Sequence, residues 1–195
     1  MTTPPPFAIE LVPGMHKVPQ ADWDALVPPD DPFCTWAFLH AIEASGSACA
    51  ETGWQPAHVL VRLHGEVVGG APAYVKGNSY GEYIFDWGWA EASQQARIPY
   101  YPKILSAVPF TPATGRRLLV HPDADEALVL PAIWAGLRHL ADAADASGIH
   151  VLFLTEAEQG AIITADASVV PRLTHQFHWV NEGYSDFDDW TSHFR

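Results

Sequence analysis

The segment Ser79-Tyr-Gly-Glu-Tyr-Ile-Phe-Asp-Trp87 sets two acids among four aromatic residues. In an extended chain, twofold alternation puts Tyr80, Glu82, Ile84 and Asp86 on one face and Tyr83, Phe85 and Trp87 on the other. Paired carboxylates beside tyrosines on a rim suit acid–base work, or the holding of an ammonium group. The plainer alternative has both acids facing water and the aromatic rings in the core. An aromatic–carboxylate cluster in a loop favours the functional reading.

Tyr100-Tyr101-Pro102-Lys103 and Pro109-Phe110-Thr111-Pro112 follow. Five of the ten cations, Lys76, Arg97, Lys103, Arg116 and Arg117, fall between positions 76 and 117. Such a concentration in an acidic chain can hold a phosphate or carboxylate, or can neutralise neighbouring acids. His175 and His178 do not make a metal site, because residues three apart on a strand face opposite sides. His178 remains a candidate base or hydrogen-bonding residue. Two cysteines, Cys34 and Cys49, cannot build a four-cysteine zinc centre, and no metal is expected.

The elements that must position these residues alternate. Strands are expected at Phe7 to Val12, His58 to Leu63, Val67 to Lys76, Arg117 to Val120, Ile149 to Thr155 and Val169 to Val180. Helices are expected over Pro19 to Leu26, Thr35 to Ser45, Asp125 to Ala146, Glu156 to Ala165 and from Asp186 onward. His64-Gly65-Glu66 reads as a hairpin turn, and residues 77–112 as an irregular, aromatic insert. Ile149 to Thr155 is apolar enough to be buried on both faces. The order predicts an α/β sandwich with a mixed sheet and helices on both faces.

The chain has 195 residues, 48% of them apolar, with a net charge of −13. Length and apolar content support one lobe with a sizeable core. The acidity disfavours binding to nucleic acid or an anionic membrane surface by this chain. The start of the chain has neither the basic nor the apolar part of a signal peptide, and no run is long enough to span a bilayer, so a cytoplasmic location is expected.

Six motifs in order resemble the FemAB-like peptidoglycan biosynthesis/recognition proteins of the GNAT superfamily. They are Thr35-Trp-Ala-Phe-Leu-His-Ala-Ile-Glu-Ala-Ser-Gly-Ser-Ala48, Thr52-Gly-Trp-Gln-Pro56, Ser79 to Trp87, Tyr100 to Lys103, Val108-Pro-Phe-Thr-Pro112 and Gln176-Phe-His-Trp-Val-Asn-Glu-Gly-Tyr184. The resemblance implies a GNAT-like lobe, with residues 1–195 the N-terminal half of a two-lobe protein and the 77–112 insert walling a groove. It implies the acceptor-binding lobe of an N-acyltransferase acting on an amine of a cell-wall precursor or amino-acid-like acceptor. The alternative is a non-catalytic lobe that recognises a peptidoglycan-related ligand or docks a partner domain.

Under the first reading Asp86, Glu82 and His178 are the candidate catalytic residues. Tyr80, Trp87, Tyr100, Tyr101, Phe110 and Thr111 would shape the acceptor pocket with Gln176, Trp179 and Asn181. Lys103 or Arg116 would hold an acidic group of the acceptor. The family's acyl donor is an aminoacyl-tRNA, expected to bind outside this lobe. A CoA-binding GNAT domain carries a glycine-rich turn before the helix that follows its fourth strand, and His121-Pro-Asp-Ala-Asp-Glu126 has no glycine there. A proline and three acids oppose a pyrophosphate, so no cofactor is expected in this lobe. Phe187, Trp190 and Phe194 form an apolar stripe on the last helix, from which self-association is expected.

Overall fold

The computed structural model describes residues 7–194. Strand β1 (Ala8–Val12) is followed by helices α1 (Gln20–Asp24) and α2 (Trp36–Ala44). Strands β2 (Trp54–Pro56), β3 (His58–Leu63), β4 (Glu66–Ala71) and β5 (Tyr74–Lys76) come next, then α3 (Trp87–Ala96). Strands β6 (Lys103–Ser106) and β7 (Leu119–Val120) precede α4 (Glu126–Ala143), β8 (Ile149–Val151), α5 (Glu156–Ala165) and α6 (Phe187–Ser192).

The strands form two four-stranded sheets, β1-β3-β4-β7 and β2-β5-β6-β8. One long hairpin runs through both. Its turn is His64-Gly65, both at positive φ, as a two-residue turn of the type that matches strand twist requires. Pro72 lacks a ladder donor and interrupts the second arm between β4 and β5. Pairing nevertheless continues from Ala57 N to Ala73 O at 2.9 Å. His58 secures the break: its Nδ1 accepts from Ala73 N at 3.1 Å, and its Nε2 lies 2.7 Å from Glu43 Oε1. The β6–β8 pair is parallel and every other pair antiparallel, which makes the fold mixed.

Helices cover both faces of the β1–β3–β4 region. Alternate residues of β3 divide between them: Val59 and Val61 pack with Val129, Ile133 and Leu137 of α4, while Leu60 joins Trp23 and Leu39 of α1 and α2. Contact is close at two glycines: an added Cβ would lie 2.4 Å from Val59 Cγ1 at Gly136 of α4 and 2.5 Å from Val129 Cγ1 at Gly69 of β4.

Four expected elements differ. The Ile149 to Thr155 strand, expected to be buried on both faces, is only Ile149–Val151 and lies half-buried at the edge of its sheet. The 77–112 insert contains helix α3 and strand β6, so it is not irregular throughout. The unpatterned excursion instead follows β6, over residues 107–118, and leaves only Leu119–Val120 of the expected Arg117–Val120 strand. Val169 to Val180 forms no strand, because no sheet edge pairs with it.

Candidate functional site

The two middle strands of the second sheet end on lysines placed directly opposite each other, Lys76 of β5 and Lys103 of β6. Like charges facing across a ladder repel. Here both side chains are fully buried as well, so two counter-charges are required nearby. The loop between β5 and α3 supplies them. Lys103 Nζ donates to Glu82 Oε2 at 2.8 Å, to Asp86 Oδ2 at 2.6 Å and to Ser79 Oγ at 2.8 Å. Lys76 Nζ sits 3.7 Å above the Trp54 ring, donates to Tyr80 O at 3.1 Å and lies 3.9 Å from Glu82 Oε1. Four opposing charges thus balance in a space closed to water.

The tyrosines close the network. Tyr100 donates from its hydroxyl to Asp86 Oδ2 at 2.7 Å, and the Tyr101 hydroxyl lies 2.7 Å from Ser79 Oγ. Glu82 Oε1 and Asp86 Oδ1 have no hydrogen-bond partner. Burial raises Glu82 above the usual carboxylate range, against the opposing pull of Lys103. Burial also acts on Asp86, but hydrogen bonds from Lys103, Tyr100 and Ser79 outweigh it and hold this acid below its ordinary value. Burial, aided by the Lys103 charge, brings Lys76 down to about 7. His150 of β8, near the same cluster, is lowered to about 4 by burial and then by Lys103, so its ring is neutral at pH 7.

The expected alternation is present in burial from Glu82 to Trp87, but not as a strand, and Tyr80, expected beside the acids, is exposed instead. Glu82 and Asp86 point inward, while Tyr83, Phe85 and Trp87 are exposed. Left-handed backbone at Tyr83 (φ 58°) and Phe85 (φ 52°) produces this arrangement. Such a conformation costs a bulky residue on the order of 1–3 kcal/mol. The plain sequence alternative is therefore inverted, with acids in the core and rings in water. Gly81, at φ 77°, has the Phe110 ring against its backbone, and a Cβ there would come within 2.5 Å of Phe110 Cδ1. Phe110 in turn packs on Trp54 with 5.3 Å between ring centroids, and Tyr80 on Trp87 with 5.1 Å. The result is an exposed aromatic shelf over a buried acid–lysine cluster.

The structure thus brings together Tyr80, Glu82, Asp86, Trp87, Tyr100, Tyr101, Lys103 and Phe110. Lys103 is committed to internal acids rather than to a ligand. Thr111 bonds back to Pro109 O at 3.0 Å. Arg116 is partly exposed and pairs with Glu126, apart from the cluster. His178 is exposed and its ring bonds to Gln176 Oε1 at 2.7 Å, while Gln176 also donates to Pro112 O. Asn181 caps its own turn, accepting from Gly183 N and Tyr184 N at 2.9 Å. Trp179 and Asn181 line a separate open cavity of about 460 Å³ with Tyr184, Phe187 and Trp190. Among the described residues no cluster of potential metal ligands occurs.

Sequence reasoning quoted Trp54 and Ser79 within motifs without giving either a site role, and did not single out His150. Lys76 was noted only as part of a basic stretch. The available signal was a lysine closing an apolar strand, Tyr74-Val-Lys76, a short distance before two acids.

The sequence matches the FemAB-like family, described as peptidoglycan biosynthesis/recognition, over residues 14–195. The chain belongs to the FemAB-like family. A search of curated proteins finds no match. Among solved structures, the FemAB-like chain is similar to an aminoglycoside acetyltransferase, meta-AAC0020, from an uncultured soil metagenomic sample, in complex with trehalose. Identity is 11%, the TM-score is 0.51, and the match covers 89% of this chain and 96% of that one. It is also similar to the aminoglycoside N-acetyltransferase AAC(6')-Iy in complex with CoA, with 11% identity, a TM-score of 0.52 and coverage of 93% and 99%. These likenesses establish the GNAT acetyltransferase fold.

The residues present do not fit CoA at the β7–α4 junction. Asp125 turns its own carboxylate onto Ala127 N at 3.0 Å, occupying a donor of the helix start. Pro122 contributes no N–H, and Asp123 and Glu126 add negative charge beside Asp125. Where the chain leaves the 107–118 excursion, Glu158 of α5 accepts from Arg117 N and Leu118 N, occupying those donors too.

Proposed function

We propose that this chain is the acceptor-binding lobe of a FemAB-like N-acyltransferase, acting on an amine of a cell-wall precursor or amino-acid-like acceptor. The observation that carries the reading is the aromatic shelf held in left-handed backbone above Glu82 and Asp86. Rings left in water, with Tyr83, Phe85 and Phe110 on left-handed backbone, add little to the core and are suited to a ligand surface. The shelf supplies flat apolar area for a sugar or peptide, and the net charge of −13 favours a cationic amine.

Amide formation requires the attacking nitrogen to lose its proton to a base. Glu82 suits that role better than Asp86, because burial raises its affinity for a proton and Oε1 has no partner. Asp86 stays ionised and, with Tyr100, fixes Lys103. Glu82 is fully buried, so a base role requires the 79–86 loop to part when the acceptor docks on it. The acyl donor would bind outside this lobe, consistent with the poor fit to CoA.

A specific observation favours a second reading, recognition without catalysis: both acids are sealed and ion-paired. The test is acyl transfer to a muramoyl-peptide acceptor by the full-length protein and its Glu82→Gln variant. A loss of transfer with acceptor binding retained supports the first reading. Unchanged transfer removes Glu82 from the mechanism, and binding with no transfer by any form supports the second.

A further inference from the structure

Residues 171–179 carry a strand pattern with no strand. Leu173, Phe177 and Trp179 fall on one face in twofold alternation, with His175 between them, and Arg172, Thr174, Gln176, His178 and Val180 on the other. Such a segment is built to lie on a sheet edge with its apolar side covered. Instead, Leu173 is 91% exposed and Phe177 99%. The segment is rooted at Val169, which packs against the α4 core. Beyond that it touches the lobe lightly, through Arg172 at 5.7 Å from the Trp89 ring and through Gln176 on Pro112 O.

The same chain carries a sheet edge without a strand. Strand β8 is last in its sheet. Gly148 O accepts from Ile104 N and Leu152 N donates to Ser106 O, so the even-numbered residues of β8 face β6. By alternation, the N–H and C=O groups of Ile149 and Val151 face away from β6, and neither has a hydrogen-bond partner among the described residues. Phe153 O, further along, already accepts from Gly115 N at 3.0 Å, so the open stretch is Ile149 to Val151. An apolar edge of this kind is a template for an added strand.

We infer that the 171–180 arm of one copy pairs with the β8 edge of a second copy, reciprocally, in a twofold dimer. A second copy supplies both missing halves at once: each arm gains a ladder and each edge gains a strand. Leu173, Phe177 and Trp179 together offer roughly 400 Å² of exposed apolar side chain on that face. Two arms then contribute roughly 800 Å², and with the surface they cover the total reaches the range of stable interfaces. This inference does not depend on the acyltransferase reading.

The test is sedimentation equilibrium on the 195-residue chain, on Leu173→Lys/Phe177→Lys, and on Val151→Pro. The last removes an edge donor that the β6 ladder does not use. The expected result is a wild-type mass twice 21.4 kDa and at least tenfold weaker association in both variants. Amide exchange on the wild-type chain gives a readout that needs no substitution: the Ile149 and Val151 amides become protected as concentration rises. A wild-type monomer at 100 μM, as an order of magnitude for strong association, overturns the inference. So does a dimer that survives either variant, or concentration-independent exchange at both amides.

Discussion

The two buried lysines look alike in burial but should respond oppositely to removal. In Lys103→Met, the acids Glu82 and Asp86 lose the one cation that hydrogen-bonds to both. Breaking a buried pair by deleting one partner costs about 3–5 kcal/mol, because the remaining charge is stranded. For a chain of this size that lowers the melting temperature by roughly 10 °C. Lys76→Met removes one hydrogen bond to Tyr80 O, which keeps a second donor, Trp54 Nε1 at 3.0 Å. The methionine side chain can still lie over the indole. At pH 7 that change should stay within about 1 kcal/mol.

The pH dependence separates the two further. In the wild-type chain Lys76 has a folded value near 7 against 10.5 for the free group. Between these values the unfolded chain binds a proton that the folded chain does not, so stability rises with pH across that window. Lys76→Met should abolish this rise. In Lys103→Met the stranded carboxylates are raised above their unfolded values, so the deficit is largest at pH 8 and shrinks toward pH 5. Urea unfolding from pH 5 to 10 measures both. A Lys103→Met variant as stable as wild type at pH 8, or a Lys76→Met variant that keeps the alkaline rise, would refute the reasoning.

Burial raises Glu158, so its contribution is present at low pH and is lost as pH rises through the folded value. Glu158→Gln should therefore match or exceed wild type in urea unfolding at pH 7, while Glu158→Ala leaves two amides unpartnered and loses about 2 kcal/mol. Gly69→Ala forces a Cβ onto Val129 and Ile133 and should cost about 1–3 kcal/mol by thermal unfolding. The His150 ring should titrate near pH 4 by NMR, and this value should rise when Lys103 is replaced by methionine.

Much of the lobe was readable in the residues. Thr35 caps α2, Asp125 caps α4 and Thr155 caps α5, each through its own side chain, and the alternating apolar residues of β3 reach helices on both faces. The acid pair was also legible, since Glu82 and Asp86 do share a face. Its environment was not, because burial of the acids depends on the Lys76–Lys103 cross-strand register and on left-handed Tyr83 and Phe85. Strand register and backbone handedness at non-glycine residues leave no local signature. Trp54–Pro56 was missed because three residues are too few to show a period. The 169–180 strand was expected from alternation, but pairing needs a neighbouring edge, and within one copy the segment pairs with none.

The central claim is that the aromatic shelf over Glu82 and Asp86 binds an amine-bearing cell-wall precursor. Calorimetric titration of the chain with a muramoyl peptide carrying a free side-chain amine tests it most directly, alongside Tyr80→Ala/Trp87→Ala. The account predicts saturable binding that weakens at least tenfold in the double variant, with the unfolding curve displaced by less than about 1.5 kcal/mol, the upper worth of one aromatic pair. Absence of binding by the wild-type chain, or binding that the double variant leaves unchanged, would contradict it.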